Sequence, residues 1–322
     1  MKPTILLTGG SGQLGGELLP RLQRLARVVA PDRSEMDLRK PGDIRRMISE
    51  IRPQLIVNAA ADTAVDQAET DESAARTINA DAPGVLAADA KKIGAAVIHF
   101  STDYVFDGSK RAPYKESDAP NPLNAYGRTK LAGEEAIRGS GVPHMILRTS
   151  WLYATRGKNF VLTILRLATE RQELRVVFDQ TGAPTCSADL AVAIQKIVSR
   201  FFSARANLDA FHRVAGTYHA TASGATSWHE FAKAILEQAK QNTGTSWVQA
   251  VTRGRAFSAT QVIPIRSDQF GAPARRPPYS VLSNDKLQST FGIVLPDWRE
   301  QLRSCFTAEL PRLNPVSQLT SF

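Results

Sequence analysis

Three side chains of the sequence could together carry out proton transfer at a carbonyl group. Tyr126 and Lys130 lie four residues apart in the segment NAYGRTK, and Thr102 precedes them by about 24 residues. Residues i and i+4 of a helix share a face, so the ammonium group of Lys130 would favour the phenolate of Tyr126 and lower its pKa. A hydroxyl group at a strand end binds the carbonyl oxygen while the tyrosine gives or takes the proton. We therefore predict a catalytic triad of Thr102, Tyr126 and Lys130.

The hydroxyl of this triad has two candidates, because Ser101 and Thr102 both follow the apolar run 96–100. Adjacent residues of a strand point to opposite faces, so only one of them projects into the site; we choose Thr102 first and Ser101 second. Asp103 either orients these groups and touches the substrate or forms a turn. A tyrosine and a lysine at this spacing also occur on solvated helices, so the triad needs a cofactor site to support it.

A glycine-rich segment near the N-terminus predicts that cofactor site. Residues 8–15 read TGGSGQLG, directly after an apolar run and at the start of a helical pattern. Glycine is required where the backbone turns tightly and approaches a pyrophosphate, which then rests on the helix N-terminus. We therefore assign the following residues to cofactor binding: Gly9, Ser11, Gly12, Gln13, Leu14 and Gly15.

The choice between NADPH and NADH depends on the residues after the second predicted strand. Asp32 and Arg33 lie about 20 residues beyond the glycines. A carboxylate there accepts from the ribose 2′-hydroxyl, whereas an arginine pairs with a 2′-phosphate. We predict NADPH through Arg33 and leave NADH open.

The elements that position these groups follow from hydrophobic periodicity. Short apolar runs typical of buried strands alternate with helical patterns, and they fall at 5–7, 28–29, 55–57, 97–98 and 145–147. One helical stripe comprises Leu14, Leu18, Leu22 and Leu25. This alternation predicts an α/β fold with a Rossmann-like, doubly wound parallel sheet.

After residue 150 the alternation of apolar runs and helical patterns is less regular, although a short strand is still predicted at 216–219. We therefore predict a dinucleotide-binding Rossmann domain (1–150), a smaller C-terminal substrate-binding lobe interleaved with the sheet (151–310) and a loosely ordered tail (311–322).

Composition narrows the class of protein. The chain has 322 residues, 43% of them hydrophobic, without an apolar run near 18 residues or a secretory signal pattern, which predicts no membrane partner. Two cysteines are too few for a disulfide framework and indicate a reducing compartment, so we expect the cytoplasm. The net charge of +9 is scattered without a nucleic-acid motif, so it reflects either an anionic small substrate or composition alone.

The sequence resembles one family, the dTDP-4-dehydrorhamnose reductases, which are RmlD-like members of the extended short-chain dehydrogenase/reductase superfamily. The resemblance covers about residues 3–308, and its most specific segments are STDYVFDG (101–108) and DQTGAPT (179–185). Further segments are GGSGQLG (9–15), NAAADTAVDQAE (58–69), YGRTK (126–130), RTSWLY (148–153), TASGATSW (221–228) and PARRPPYSVLSNDKL (273–287). The resemblance implies reduction of the 4-keto group of dTDP-4-dehydro-L-rhamnose to dTDP-L-rhamnose, with Tyr126 as proton donor.

Further site residues follow from the resemblance. It implies that Asp37 and Leu38 meet the adenine, that Ala59 and Ala60 line the cofactor, and that Tyr126 and Lys130 reach its nicotinamide ribose. It implies the following substrate contacts: Asp103, Val105, Phe106, Trp151, Asn159, Arg275 and Arg276. The flat face of Trp151 suits a deoxysugar and the two arginines suit a diphosphate, whereas Trp228, His99 and His219 are expected in the core.

Two alternatives and one departure from the family remain. An RmlD-like fold also serves as the non-catalytic regulatory subunit of methionine adenosyltransferase, and nucleotide-sugar epimerases and dehydratases belong to the same branch. Some family members are homodimers joined through acidic residues and a divalent ion. Glu17 and Asp189 could occupy two of those positions, but Arg299 stands where a carboxylate is expected. A homodimer stays open, Mg²⁺ at its interface is doubtful, and we predict that the chemistry requires no metal.

Overall fold

The computed structural model describes residues 2–202 and 208–307. The predicted tail, 311–322, and the end of the predicted second lobe lie outside these residues. No helix within the described ranges is long and apolar enough to cross a membrane. The expected cytoplasmic location stays a prediction.

The chain alternates between strands and helices, as the apolar runs predicted. The strands are β1 (Thr4–Thr8), β2 (Arg27–Val29), β3 (Leu55–Asn58), β4 (Ala96–Thr102), β5 (His144–Thr149), β6 (Leu152–Tyr153), β7 (Glu173–Val177), β8 (Thr181–Gly182), β9 (Thr185–Cys186), β10 (Gly216–His219), β11 (Thr226–Ser227) and β12 (Gln261–Ile265). The helices are α1 (Gln13–Gln23), α2 (Pro41–Ile51), α3 (Val65–Ala68), α4 (Glu72–Arg76), α5 (Ala82–Lys92), α6 (Ala125–Ser140), α7 (Phe160–Glu170), α8 (Ser187–Phe202), α9 (Leu208–Arg213), α10 (Trp228–Gln241), α11 (Ser246–Thr252), α12 (Ser267–Phe270), α13 (Asp285–Phe291) and α14 (Trp298–Thr307). A π-helical turn spans Thr77–Asp81, and a 3₁₀ turn spans Asp103–Val105.

The central sheet has six parallel strands in the order β2-β1-β3-β4-β5-β10. The chain leaves β1 for β2 on one side and then returns to β3 on the other. Open α/β sheets bind their ligands at such a switch point, outside the carboxyl ends of the strands. This order confirms the predicted Rossmann-like, doubly wound parallel sheet.

Both faces of the sheet are buried, because successive strand residues point to opposite sides. Ile5 and Leu7 join a core beneath α1 and α8, whereas Leu6 joins a second core beneath α2 and α5. The predicted stripe of α1 is buried at Leu14, Leu18 and Leu22. Because α1 ends at Gln23, Leu25 packs on the same core from the following turn.

The chain beyond residue 150 contributes to two layers. The strand predicted at 216–219 is present as β10, but it lies at the edge of the central sheet beside β5. Helix α8 likewise covers the sheet next to α1. A separate core forms among α7, α10 and α14 and includes Phe231 and Trp298. Segments beyond residue 150 therefore take part both in the central sheet and in a second core, and the predicted lobe with its boundary at residue 150 stays a prediction.

Candidate active site

The first turn of α6 carries Tyr126 to the carboxyl end of β4. Asn124 caps the helix, since its Oδ1 accepts from the backbone N–H of Gly127 at 2.8 Å. Its Nδ2 donates to the carbonyl oxygen of Arg275 at 2.8 Å, which ties the loop 271–278 to the same point. The segment NAYGRTK therefore sets both the start of the helix and its contact with a distant loop.

The hydroxyls of Ser101 and Thr102 point to different partners, as expected for adjacent strand residues. Ser101 donates to Oε1 of Glu134 at 2.6 Å, in the interior. The hydroxyl of Thr102 donates to Oδ1 of Asp103 at 3.1 Å and lies near enough to the phenol of Tyr126 to lower its pKa. Thr102 is thus the hydroxyl that meets the phenol, which supports our first choice for the triad.

The electrostatics of Tyr126 differ from the expectation. Burial raises the pKa of Tyr126; the hydrogen bond with Thr102 lowers it in part, and the nearby carboxylates of Asp103 and Asp62 raise it further. The net change is upward, so the predicted depression of the Tyr126 pKa is wrong. A raised pKa keeps the phenol protonated at neutral pH, which is the form that a proton donor needs.

Lys130 is only 1% exposed and is held from the sheet side. Its Nζ donates to the carbonyl oxygen of Phe100 at 2.7 Å and lies 3.3 Å from Nε2 of His99. Burial lowers the pKa of Lys130 to about 8, although Glu134, one turn further along α6, opposes the change. The lysine can therefore change its charge near neutral pH.

Asp103 lies beneath the triad and is 2% exposed. Besides the hydroxyl of Thr102, its carboxylate accepts from the hydroxyl of Ser150 at 2.9 Å. Burial raises the pKa of Asp103 to about 6, against the hydrogen bonds from Ser280, Ser150 and Thr102. These contacts favour an orienting role over a simple turn.

A buried ion pair between Glu134 and Arg148, which the sequence motifs did not indicate, packs beneath the site. Glu134 accepts from Nε of Arg148 at 2.8 Å and from its Nη2 at 2.7 Å, and both side chains are almost fully buried. Burial opposes the charge of Glu134, yet the guanidinium of Arg148 outweighs burial and lowers the pKa of that carboxyl. The available signal was the spacing of Lys130 and Glu134, which share a helix face.

The glycine loop fits a dinucleotide pyrophosphate. Gly9 has φ +68°, and an added Cβ would lie 2.7 Å from the backbone nitrogen of Ala60. Gly12 is the N-cap of α1, and the first turn of α1 contains no acidic residue. The backbone N–H groups at the start of α1 are therefore left for an anion, because neither a side-chain cap nor a carboxylate occupies that end of the helix. The loop also brings Gly9 against Ala59 and Ala60, and their predicted contact with the cofactor stays a prediction.

Two predicted cofactor residues are placed differently. The side chain of Leu14 is 5% exposed and packs in the core, so only its backbone faces the loop. Nε2 of Gln13 donates to the carbonyl oxygen of Lys158 at 3.0 Å, and Oε1 of Gln13 accepts from Nδ2 of Asn159 at 2.9 Å. The side chains of Leu14 and Gln13 therefore hold the loop in place and do not reach a ligand. Ser11 is exposed at the loop surface.

The turn after β2 leaves Arg33 available for a ligand. Asp32 closes the turn, since its Oδ1 accepts from the backbone N–H of Ser34 at 2.7 Å and from that of Glu35 at 3.2 Å. Arg33 is exposed and, within the described ranges, forms no hydrogen bond or ion pair.

The dipeptide Asp37-Leu38 is folded inward. The side chain of Leu38 packs partly buried against the second core. Both carboxylate oxygens of Asp37 accept from Arg39, at 3.1 Å or less, and these bonds lower the pKa of Asp37. A ligand that uses the carboxylate must therefore share it with Arg39.

A cavity of about 1010 Å³ lies between helix α7, strand β7 and the segment 267–276. Its lining includes Phe160, Gln180, Trp228, Arg275 and Arg276. This volume is in the upper range of small-ligand sites. Trp228, which was expected in the core, packs against it and also lines the cavity.

Trp151 belongs to an aromatic pair rather than standing alone. Its ring stacks on that of Trp228 with centroids 3.5 Å apart and planes 5° apart. Its backbone has φ +46°, a costly conformation for a residue other than glycine. A Cβ at Gly182 would lie 2.5 Å from the ring, which explains the glycine in DQTGAPT. One face of Trp151 is thus covered, and the predicted sugar contact stays a prediction.

The two arginines of the loop differ in their partners. Nη2 of Arg276 donates to Oδ2 of Asp66 at 2.8 Å, and the guanidinium lies near Tyr104, beside the triad. The side chain of Arg275 is exposed and forms no ion pair among the described residues. Arg275 is therefore the freer of the two for a diphosphate.

Three predicted substrate residues serve the fold. Val105 and Phe106 are 0% exposed and form a core cluster with Tyr114, so their side chains cannot reach a ligand. Asn159 caps α7, because its Oδ1 accepts from the backbone N–H of Leu162 at 3.1 Å. Its Nδ2 is shared among Gln13 and two carbonyl oxygens. The family motifs indicated these positions, but a motif does not distinguish a residue that contacts the ligand from one that supports the fold.

Glu17, one of the two residues suggested for a divalent ion, is already paired with two arginines. The oxygens of Glu17 accept from Arg21 at 2.9 Å and from Arg156 at 2.6 Å. A cation at Glu17 would have to displace both guanidinium groups. Within residues 2–202 and 208–307, no group of three or more histidine, cysteine or acidic side chains comes together as a metal site. A metal-independent reaction stays a prediction.

A doubly wound sheet, a glycine loop at its switch point and a threonine, tyrosine and lysine at its carboxyl edge define a protein of the short-chain dehydrogenase/reductase class. A family model described as the RmlD substrate binding domain matches residues 1–310. The chain is 45% identical over 301 residues to a dTDP-4-dehydrorhamnose reductase of Burkholderia thailandensis, which covers 94% of this chain and 97% of the relative. The chain belongs to the RmlD family, as its motifs predicted.

Two further relatives agree in sequence and in structure. A dTDP-4-dehydrorhamnose reductase of Escherichia coli K12 is 42% identical over 301 residues, with 92% of this chain and 94% of the relative covered. The crystal structure of a dTDP-4-dehydrorhamnose reductase of Bacillus anthracis in complex with NADP superimposes with a TM-score of 0.82. It is 36% identical and covers 95% of this chain and 99% of that chain.

Proposed function

We propose that the protein reduces the 4-keto group of dTDP-4-dehydro-L-rhamnose to give dTDP-L-rhamnose, with NADPH as reductant. The observation that carries this proposal is the position of the Thr102 hydroxyl near the phenol of Tyr126 at the carboxyl end of β4. This pair lies on the edge of the sheet where β1 leads into the glycine loop. Membership of a family whose relatives are named dTDP-4-dehydrorhamnose reductases supports the substrate.

Each residue of the triad has a separate role. Thr102 donates a hydrogen bond to the substrate carbonyl oxygen, and Tyr126 gives that oxygen its proton as the carbon is reduced. Lys130 stabilises the phenolate that remains, until the phenol regains a proton from water. In the absence of the sugar, Oδ1 of Asp103 accepts the single O–H of Thr102 at 3.1 Å, and this O–H turns to the carbonyl oxygen when the sugar binds. The bound cofactor supplies the hydride.

The remaining residues divide between the two ligands. We assign the cofactor to the predicted domain 1–150, where the N-terminus of α1 receives the pyrophosphate and Arg33 the 2′-phosphate. The NADP in the Bacillus anthracis structure supports this choice. We assign the sugar nucleotide to the cavity of the second lobe, where Arg275 supplies an exposed guanidinium for the diphosphate.

The alternatives make different predictions for cofactor use. A regulatory subunit of methionine adenosyltransferase would bind without oxidising NADPH. An epimerase or dehydratase would regenerate its bound cofactor in every turn. The reductase consumes one NADPH for each sugar reduced.

One assay separates these cases. The purified protein is mixed with NADPH or NADH and with dTDP-4-dehydro-L-rhamnose, and the absorbance of the reduced nicotinamide is followed while UDP-linked keto sugars are assayed in parallel. We expect a loss of NADPH equal to the dTDP-L-rhamnose formed, and slower reaction with NADH and with UDP sugars. A protein that forms no reduced sugar with either cofactor is not this reductase.

A further inference from the structure

A chain of buried polar side chains crosses the sheet from the glycine loop to Lys130. Thr8, Asn58 and His99 are register neighbours on β1, β3 and β4. The hydroxyl of Thr8 donates to Oδ1 of Asn58 at 2.5 Å, and Nδ2 of Asn58 lies 3.0 Å from Nδ1 of His99. The other ring nitrogen of His99, Nε2, lies 3.3 Å from Nζ of Lys130. All four side chains are at most 2% exposed.

We propose that His99 is a positioning residue that keeps Nζ of Lys130 in one place in both of its charge states. The proposal rests on the function proposed above, in which Lys130 acts beside Tyr126. Thr8 directly precedes the glycine loop and Ala59 follows Asn58. His99 therefore also links the lysine to the two strand ends that are assigned to the cofactor.

A histidine at this point of the sheet requires a reason other than packing. The centre of a parallel sheet covered on both faces is ordinarily apolar, and Ile98 and Phe100 beside His99 follow that rule. An imidazole buried there loses its hydration and needs a partner at each ring nitrogen. His99 has both partners, and one of them is the lysine of the triad.

An imidazole suits a lysine that gains and loses a proton. Burial, together with the nearby charge of Lys130, lowers the pKa of His99, so the ring stays neutral and carries one donor and one acceptor. Its Nε2 accepts from an ammonium, or its Nε2–H donates to a neutral amine. The amide of Asn58 can turn either end towards Nδ1 to match the tautomer. The contact with Lys130 therefore survives a change in the charge of the lysine.

The groups that set the charge of Lys130 come from several elements. Burial lowers its pKa to about 8, and Glu134 on α6 opposes this change. Tyr126 lies one turn before it on α6, with Asp103 beyond β4 and Asp62 after β3 near the phenol. Arg148 on β5 neutralises Glu134. None of these groups changes when position 99 is substituted, so a shift in the titration of Lys130 reports on His99.

The first test uses the unaltered protein and does not depend on its reaction. Nitrogen-15 NMR of the imidazole distinguishes the two tautomers of His99, and the titration of Lys130 is followed by carbon-13 NMR of its Cε, assigned with Lys130→Met. We expect the proton of His99 to move from Nδ1 to Nε2 as Lys130 loses its charge, with the same midpoint. A tautomer that stays constant across that titration overturns the proposal.

The second test replaces His99 with three side chains that differ in length and in their ability to form hydrogen bonds. The amide of His99→Gln extends to the position of Nε2 and can accept or donate there, whereas that of His99→Asn reaches only the position of Nδ1. His99→Phe fills the space without either bond. Loss of an acceptor disfavours the ammonium, so the pKa of Lys130 should fall in the Asn and Phe variants.

We therefore expect the alkaline limb of turnover to move by about one pH unit to lower pH in His99→Asn and His99→Phe, the effect of one lost hydrogen bond to a charged group. Turnover should then be about twofold lower at pH 7 and about tenfold lower at pH 9. His99→Gln should stay within about threefold of the unaltered protein. His219→Asn is the control, because His219 is equally buried in β10 but does not contact Lys130. It should leave the alkaline limb in place.

The outcomes separate this proposal from the proposed function. An active protein whose Gln, Asn and Phe variants share one pH profile retains its function and overturns the role of His99. A protein that reduces no sugar but shows the coupled titration keeps the role of His99 and loses the proposed reaction. If the Asn or Phe variant does not fold, the NMR titration of the unaltered protein decides.

Discussion

The backbone of Gly127 lies against the carbonyl oxygen of Tyr104, so closely that a Cβ at position 127 would overlap that oxygen. This contact joins the first turn of α6 to the 3₁₀ turn that follows β4. It therefore sets the approach of Tyr126 to Thr102. Gly127 has the backbone of an ordinary helical residue, so its conformation does not call for a glycine. Only the close contact with Tyr104 requires one at this position.

Gly127→Ala should lower the free energy of unfolding by about 1–3 kcal/mol, because α6 must move away from Tyr104. Turnover should also fall, as Tyr126 moves with the helix. Gly139 is the matched control, since it lies in the same helix with nothing within 4 Å of an added Cβ. Gly139→Ala should raise the free energy of unfolding by about 0.5–1 kcal/mol. Urea unfolding of both variants checks this, and equal changes would contradict it.

The sheet, the glycine loop and the order of the triad were predictable because each depends on a local pattern. Apolar runs mark buried strands, and Gly9 and Gly12 follow one of them directly. The spacing of Tyr126 and Lys130 needs only a helix to place them on one face. These features require no knowledge of how distant segments meet.

The contacts between distant segments were not predictable in this way. Trp151 and Trp228 stack although 77 residues separate them in the sequence, and the amide of Asn124 bonds a carbonyl 151 residues away. The motif could not show that Phe106 faces the core, because a residue that supports the fold and one that contacts a ligand look alike in the sequence. The pKa of Tyr126 likewise depends on how much water the folded chain removes.

Arg33 should determine the choice between the two cofactors. If its exposed guanidinium pairs with the 2′-phosphate, Arg33→Ala weakens NADPH binding by about 1.5–3 kcal/mol and spares NADH, which lacks that phosphate. Arg27→Ala, at the opposite end of β2, removes the same charge and serves as the control. Fluorescence titration of each variant with both cofactors measures the affinities. Equal losses for NADPH and NADH would disprove the role of Arg33.

Asp103 should make stability depend on pH. Burial raises its folded pKa to about 6, whereas an unfolded aspartate titrates near 3.9. Between about pH 4 and pH 6 the unfolded chain has released a proton that the folded protein retains, so the free energy of unfolding falls as pH rises. Asp103→Asn lacks this contribution.

The measurement is the difference between the two proteins at pH 4 and at pH 7. Relative to Asp103→Asn, the unaltered protein should lose up to about 3 kcal/mol of unfolding free energy over this interval, because one pKa unit corresponds to about 1.4 kcal/mol. Other titrating groups cancel in the comparison. Parallel curves for the two proteins would show that Asp103 ionises normally.

The roles of Tyr126 and Lys130 are separable by substitution. Tyr126→Phe keeps the ring and removes only the acid, so turnover should fall by about 10² to 10⁴ with little change in NADPH affinity. Lys130→Met should lower both turnover and NADPH affinity, because the ammonium is proposed to serve the phenol and the cofactor ribose. Tyr153→Phe is the control: its hydroxyl is buried with no hydrogen-bond partner among the described residues. If Tyr126→Phe reduces dTDP-4-dehydro-L-rhamnose as fast as the Tyr153→Phe control, Tyr126 is not the proton donor.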